Sequence, residues 1–186
     1  DTGPGMSLID EYCKLFFNKE YDCNCIFSNK GKINDIILED LMNHEFILSK
    51  PPKSTGRNEF GYEIVQKYSS KYSGIKPEDI LRTLCCFSAK SIANNLEKFI
   101  NFDSDNVQLI ISGGGVKHTN LMNDVVRLCK INDVITSTDV GINSDMKESL
   151  LMAVLGIAYI QEIPANMPSV TGANENVVLG ERFIKQ

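Results

Sequence analysis

The stretch VQLIISGGG, residues 107–115, decides the fold class of this chain. It begins as a short apolar run of strand length and ends abruptly at three glycines. Apolar residues at helical spacing follow over 121–129, and a second short apolar run occupies 134–136. The order strand, glycine turn, helix, strand is that of a βαβ unit, in which the two strands are parallel. The sequence therefore predicts an α/β fold.

The rest of the chain is predicted to be mainly helical. Pro77, Glu78 and Asp79 form a good helix opening, because proline fits the first turn and acids face the positive end of the helix dipole. Apolar residues at steps of three to five then continue to Phe99, and we expect this helix to be the longest and most central one. Further helices are predicted over 8–17, over 33–41 and from about Ser144 to Ala158.

Length and composition restrict the class of protein. The 186 residues are 42% hydrophobic, 23% charged and 8% aromatic, which is ordinary for a globular protein and excludes wholesale disorder. The formal net charge of -5 offers nucleic acid no electrostatic footprint, so we expect no nucleic-acid partner. No apolar run approaches the roughly 20 residues that a bilayer span needs, so we expect no membrane partner.

The six cysteines match neither a disulfide framework nor a zinc ribbon, which needs two CxxC-like pairs. Cys23-Asn24-Cys25 is a lone CxC pair, so the sequence predicts no metal site. Residues 1–5 carry neither the basic region nor the apolar stretch of a secretory signal. Thiols without a framework suit a reducing compartment, and we expect a cytoplasmic protein.

The three glycines Gly113, Gly114 and Gly115 are the first candidate site. In open α/β sheets, ligands bind beyond the carboxyl ends of the strands, and glycines there let the backbone approach a nucleotide closely. The free N–H groups of the following helix suit anionic ligand atoms. The alternative is a tight strand-to-helix turn without a ligand, and the pattern GGG leaves both interpretations open.

The turn Asp1-Thr2-Gly3-Pro4-Gly5 is the second candidate. A carboxylate held by a glycine-rich turn can orient an attacking hydroxyl or water, which phosphoryl transfer requires of its base. The alternative is an Asx-type turn in which Asp1 only caps local backbone groups. Turn statistics by themselves favour the second interpretation.

A third candidate is the segment Lys53-Ser54-Thr55-Gly56-Arg57, whose cations and hydroxyls could hold an anionic substrate, although a solvated turn has the same composition. Glu148 opens the last helix and could face the same crevice, but acids in a first turn usually only complement the helix dipole. His44 and His118 are isolated, without a carboxylate and a nucleophile to form a catalytic triad.

Taken in order, several motifs resemble those of one family. They are DTGPG at 1–5, PPKSTGR at 51–57, SGGG at 112–115, STD and GI within 137–142, KE at 147–148 and MPSVTGA at 167–173. Together they resemble the anhydro-N-acetylmuramic acid kinases, members of the sugar kinase, actin and chaperone ATPase superfamily. The resemblance implies that residues 1–186 are the C-terminal lobe of an actin-like ATPase (ribonuclease H-like) fold, helix-rich and with an incomplete sheet. The N-terminal lobe and the first strands of this lobe are then expected outside this chain.

The resemblance also implies a reaction in amino-sugar and peptidoglycan turnover. These kinases open the anhydro bridge of 1,6-anhydro-N-acetylmuramic acid with water and phosphorylate the freed 6-hydroxyl from ATP with Mg²⁺. Asp1 matches the base for the attacking water, Gly113 to Gly115 match the nucleotide side of the cleft, and Glu148 matches an acid near the sugar. The near-site or structural residues are Gly3, Gly5, Lys53, Ser54, Thr55 and Arg57. The implied partners are ATP and an amino sugar, and a homodimer is left open.

The chain departs from the resembled pattern at several places. Met6 and His118 stand where the family prefers asparagine, and Asp22-Cys23-Asn24-Cys25 stands where it prefers a D-x-D-G loop. Asn58 stands where the family usually has glutamate, and the stretch from STD to GI is shorter. Two alternatives therefore stay open. One is a non-catalytic remnant that binds a nucleotide or a partner without turnover. The other is a redox protein that binds a dinucleotide at the glycine turn, although the acid expected for the ribose is lacking.

Overall fold

The structure is a computed structural model that describes residues 1–100 and 106–183. Its helices are α1 (Ser7–Phe17), α2 (Asp35–Met42), α3 (Glu45–Leu48), α4 (Tyr62–Lys71), α5 (Pro77–Phe99), α6 (Thr119–Cys129), α7 (Lys147–Ile160) and α8 (Pro168–Thr171). Its strands are β1 (Gln108–Ile111) and β2 (Asp133–Thr136), and short 3₁₀ turns lie at Cys23–Cys25, Ser28–Lys30 and Gly114–Lys117. The predicted helix-rich α/β class is confirmed.

Strands β1 and β2 form a parallel pair, in which Gln108 lies beside Asp133 and Ile111 beside Thr136. Helix α6 connects them, so the predicted βαβ unit is confirmed. The segments that follow the two strands meet at one edge of the sheet, where the Ser137 hydroxyl donates to the Ser112 Oγ at 3.1 Å. The glycine turn therefore begins at the carboxyl end of the sheet, as the sequence predicts.

Helix α5 is the central element of the structure. It starts with proline at the predicted position, carries acids in its first turn and runs for 23 residues. Helices α1, α2 and α6 all pack against it. Burial of apolar surface along these contacts is the main stabilising contribution, at about 25 cal/mol per Å².

The core consists of two apolar clusters on α5. The larger one joins α5 to α1, α2, α3 and α4, and its fully buried aromatic side chains are Tyr12, Phe60 and Phe87. The smaller one fills the space between α5, α6 and the sheet with Ala89, Leu121, Val125, Cys129 and Ile131. Helix α4, which the sequence analysis did not predict, buries Ile64, Val65 and Tyr68 in the larger cluster.

An ion pair joins the two helices that contact both clusters. The guanidinium of Arg82 on α5 donates two hydrogen bonds to the Asp124 carboxylate on α6, at 2.5 and 3.0 Å. Asp124 also accepts from Arg127 at 2.9 Å, and its side chain is only 3% exposed. Because the carboxylate is removed from water, the two guanidinium groups replace the hydrogen bonds that water would otherwise supply.

Helix α7 differs from the other long helices because none of its residues is buried. The predicted apolar side is present, but Leu151 and Val154 remain 45% and 53% exposed. Within the described ranges, no helix combines the length and the apolar character that crossing a bilayer requires. All six cysteines lie within these ranges and are free thiols.

Candidate functional site

The turn at residues 1–5 lies on a polar stripe of helix α5. Ser88 donates its hydroxyl to the carbonyl of Gly5 at 2.6 Å, and the Asn95 amide donates to the carbonyl of Thr2 at 3.2 Å. Ser88, Ser91 and Asn95 are spaced by three and four residues, so they share one face of the helix, and all are buried. These residues were not predicted, and the signal for them is the presence of serine and asparagine at helical spacing among the apolar residues of the predicted helix.

Two positions of the turn favour glycine, one for space and one for backbone conformation. A Cβ atom on Gly3 would lie 2.4 Å from the hydroxyl of Ser91 and 3.0 Å from its Cβ, so a larger residue there requires Ser91 or the turn to shift. Gly5 has a φ of 57°, in the left-handed region that favours glycine. The turn is therefore positioned by backbone and small side chains, which makes its geometry well defined.

The carboxylate of Asp1 contacts the second predicted motif. Its Oδ2 accepts from the Thr55 backbone N–H at 2.8 Å and from the Ser54 hydroxyl at 3.2 Å. The backbone nitrogen of Asp1 donates to the carbonyl of Lys53 at 2.7 Å. The structure thus brings together two motifs that are more than fifty residues apart in the sequence. The backbone amide and the hydroxyl together hold the carboxylate in one orientation.

The cations of that segment have different environments. The ammonium group of Lys53 donates to the carbonyls of Phe46 and Ile47 at 2.9 and 3.3 Å and lies over the Phe46 ring. Lys53 therefore connects its segment to helix α3. Burial, followed by the charge of Lys98, lowers the pKa of Lys53. Arg57 lines the cleft described below. Arg57, rather than Lys53, is therefore the cation available to a ligand.

The glycine turn meets the segment that follows residues 1–5. Gly113 has a φ of 90°, which favours glycine, and residues 114–117 continue as a 3₁₀ turn. A Cβ atom on Gly115 would lie 3.5 Å from the Met6 side chain and 3.3 Å from that of Leu121. Gly115 and Met6, which directly follows the 1–5 turn, are therefore neighbours in the fold although more than one hundred residues separate them.

A cleft of about 710 Å³ joins these motifs. It is lined by Met6, Asp10, Lys14, Glu20, Tyr21, Asp22, Cys23, Asn24, Arg57, Gly114, Lys117 and His118. Charged groups of both signs dominate this lining, which suits a polar ligand better than an apolar one. Asp1 lies outside the set of lining residues, and so does Glu148, which is exposed and pairs with Lys147 at 3.3 Å.

Asp10 is a cleft residue that the sequence analysis missed. One oxygen of its carboxylate is buried and has no hydrogen-bond partner among the described residues. Burial raises the pKa of Asp10, and the nearby charge of Arg57 partly opposes this. Its position at helical spacing beside apolar residues of α1 was the signal that could have identified it.

The prediction that His118 is isolated is wrong. Its Nε2 lies 3.4 Å from the Asp22 carboxylate, and its Nδ1 accepts from the Leu121 backbone N–H at 3.2 Å, which caps helix α6. Asp22 itself accepts from the backbone N–H groups of Phe27 and Ser28. Burial by itself raises the pKa of Asp22, but these hydrogen bonds outweigh it and the pKa is lowered. Sequence spacing could not reveal a contact across 96 positions, because nothing local links the 22–28 loop to His118.

Comparison with known proteins agrees with these motifs. The family model described as Anhydro-N-acetylmuramic acid kinase matches residues 1–185. Proteins named anhydro-N-acetylmuramic acid kinase from Clostridioides difficile (strain 630) and Bacillus cereus (strain G9842) are each 38% identical, over 97% of this chain and 47% and 48% of their own lengths. One of the same name from Francisella tularensis subsp. novicida (strain U112) is 36% identical over 97% of this chain and 47% of its own. The chain spans about half the length of these relatives, and it belongs to the anhydro-N-acetylmuramic acid kinase family.

Proposed function

We propose that this chain is part of an ATP-dependent kinase that acts on 1,6-anhydro-N-acetylmuramic acid, as the C-terminal lobe of an actin-like ATPase fold. Water opens the anhydro bridge, and the freed 6-hydroxyl accepts the γ-phosphoryl group of ATP, which leaves ADP. The observation that carries the proposal is the proximity of Met6 and the glycine turn, because Met6 directly follows the proposed base segment and lines one cleft together with Gly114.

In this proposal Asp1 is the general base. Its Oδ2 is already held by the Thr55 amide and the Ser54 hydroxyl, so the carboxylate has a defined orientation before substrate binds. Such a carboxylate can take a proton from the attacking water as the carbon–oxygen bond of the bridge breaks. Glu148 is proposed to contact the sugar, which requires a partner surface or a movement that brings α7 to the cleft.

The glycine turn fits the phosphates of a nucleotide. Around Gly113 and Gly114, a Cβ atom would meet no other atom within 4 Å, so the backbone there is open to a ligand. Backbone N–H groups at the start of the following helical turn suit phosphate oxygens. Mg²⁺, when bound, would neutralise charge on those phosphates, since it prefers oxygen ligands and is usually held largely by the nucleotide itself.

The test is ADP release in a coupled assay with the anhydro sugar and ATP. Asp1→Asn is expected to lower turnover by roughly 10²–10⁴-fold, the usual contribution of a general base. Asp35→Asn, which changes an exposed carboxylate on α2 outside the cleft, is the control and should leave turnover unchanged. Equal turnover in wild type and the Asp1 variant contradicts the role of Asp1.

The second candidate function is a nucleotide-binding or interaction domain without turnover. It is favoured by the position of Glu148 outside the cleft lining, on a helix that has no buried residue. Calorimetric titration with ATP separates the two functions when it is combined with the ADP assay. Saturable ATP binding without ADP release supports the second candidate, and ADP release that requires the anhydro sugar supports the first.

A further inference from the structure

Three buried side chains of different chemistry, those of Asp22, Cys25 and His118, lie close together at one side of the cleft. The Cys25 sulfur lies 3.6 Å from Nδ1 of His118, and the Asp22 carboxylate lies 3.4 Å from Nε2 of the same ring. Each of the three residues offers one ligand atom, and these atoms lie within 4.8 Å of one another. Cys25 is 1%, Asp22 3% and His118 4% exposed.

The backbone of the loop supports a specific role for Cys25. Both Asn24 and Cys25 have left-handed conformations, with φ angles of 52° and 56°. A cysteine in this region is unfavourable, and glycine would remove the cost. Despite that cost, the loop places a buried thiol 3.6 Å from Nδ1 of the His118 imidazole.

We propose that Asp22, Cys25 and His118 bind a thiophilic divalent metal ion of the Zn²⁺ class. Thiolate sulfur, imidazole nitrogen and carboxylate oxygen are the three donor types that Zn²⁺ takes in proteins. Mg²⁺ and Ca²⁺ require oxygen ligands, so this set discriminates against the ion that accompanies ATP. Three protein ligands leave one tetrahedral position for water. The inference does not rest on the proposed kinase function.

The contacts around the cluster are compatible with metal binding. The Phe27 and Ser28 amides that now hold Asp22 would remain in place and orient the ligating carboxylate. The Cys25 thiol releases its proton to solvent when its sulfur binds the ion. If the ion binds Nδ1 of His118, the hydrogen bond from the Leu121 N–H is lost, and if it binds Nε2, the proton that faces Asp22 is displaced. Either loss is small beside three metal–ligand bonds. The Cys85 sulfur lies 3.8 Å from Nε2 but is not part of the mutually close set.

Co²⁺ titration monitored by absorption, followed by displacement with Zn²⁺, tests the site, because a cobalt–thiolate bond gives a charge-transfer band. Wild type is expected to bind one equivalent with such a band and to lose the band on addition of Zn²⁺ but not of Mg²⁺. Cys25→Ser should abolish the band, and His118→Asn should weaken binding at least about 10-fold. The control is Cys23→Ser, which removes an exposed thiol from the same loop and should bind as wild type does.

Two results would overturn the proposal. The first is the absence of a thiolate band in wild type, and the second is a band that survives Cys25→Ser but disappears in Cys23→Ser. Circular dichroism of each variant shows whether it is folded. If Cys25→Ser does not fold, X-ray absorption of the zinc-loaded wild type decides: a sulfur neighbour at about 2.3 Å supports the site, and a shell of oxygen and nitrogen alone contradicts it.

Discussion

The backbone N–H of Thr55 donates to the Oδ2 of Asp1 at 2.8 Å. This bond joins a turn seated on helix α5 to a segment that carries Arg57 into the cleft. Because the donor is a backbone group, the contact does not depend on a flexible side chain, and it holds the carboxylate in one orientation.

Gly3→Ala should destabilise the protein. The new Cβ atom would lie 2.4 Å from the Ser91 hydroxyl and 3.0 Å from the Ser91 Cβ, so the Ser91 side chain must rotate or the turn must shift away from α5. We expect a loss of about 1–3 kcal/mol in the free energy of unfolding, as for other overpacked sites. Urea denaturation measures it. Adding Ser91→Ala removes the closest atom and should recover part of the loss, and a double variant as unstable as the single one would show that the hydroxyl is not the obstacle.

Gly114→Ala should separate ligand binding from folding. A Cβ atom at this position meets nothing within 4 Å, so we expect stability to change by less than about 0.5 kcal/mol. If the backbone approaches nucleotide phosphates, the added methyl group should weaken ATP binding about 10-fold, for a cost of roughly 1.4 kcal/mol. Gly74→Ala is the control, since Gly74 is equally unhindered but lies outside the cleft lining. Calorimetry gives the affinities, and unchanged ATP affinity in Gly114→Ala contradicts a nucleotide at this turn.

Arg82→Ala should strongly lower the free energy of unfolding. It leaves the Asp124 carboxylate, 3% exposed, with Arg127 as its remaining guanidinium partner, and we expect a loss of up to about 3–5 kcal/mol. The exposed pair between Lys71 and Asp40 provides the comparison, and Lys71→Ala should destabilise the protein much less, because water screens that pair. Thermal and urea unfolding measure both. Equal effects of the two variants would show that burial does not strengthen the Arg82 contact.

Asp10→Asn should stabilise the protein at neutral pH. Burial raises the pKa of Asp10, so the folded state binds its proton more tightly than the unfolded chain does. The stabilisation that this proton gives the folded state is fully present below the pKa of Asp10 in the unfolded chain, near 3.9. It is lost as the pH rises through the higher pKa of Asp10 in the folded state. The asparagine side chain of the variant is neutral at every pH, so the variant does not lose this stabilisation. Melting temperatures across pH 3 to 8 should therefore diverge in favour of the variant as pH rises, and parallel curves would contradict a raised pKa.

Local patterns were sufficient for the main elements. Helix α5 begins at Pro77 and ends at Phe99 as predicted, because its opening signals and its apolar spacing lie within one continuous segment. The βαβ order was also predicted from neighbouring residues, and the structure confirms its parallel pairing. Helix α4 was missed, since its buried face contains few apolar positions and no strong opening signal precedes Tyr62.

The contacts within the candidate site could not be predicted from local patterns. The motifs at residues 1–5 and 51–57 were recognised from the sequence. The hydrogen bond from the Thr55 amide to Asp1 was not predicted, because it depends on how α1, α3 and α5 pack. The same holds for Asp22, Cys25 and His118, which the sequence analysis treated as a lone CxC pair and an isolated histidine. Residue type and spacing encode helices, strands and turns because those depend on neighbours within a few positions. Which distant side chains meet is decided only when the apolar faces of the helices close on one another, since that packing alone determines the distances across the fold.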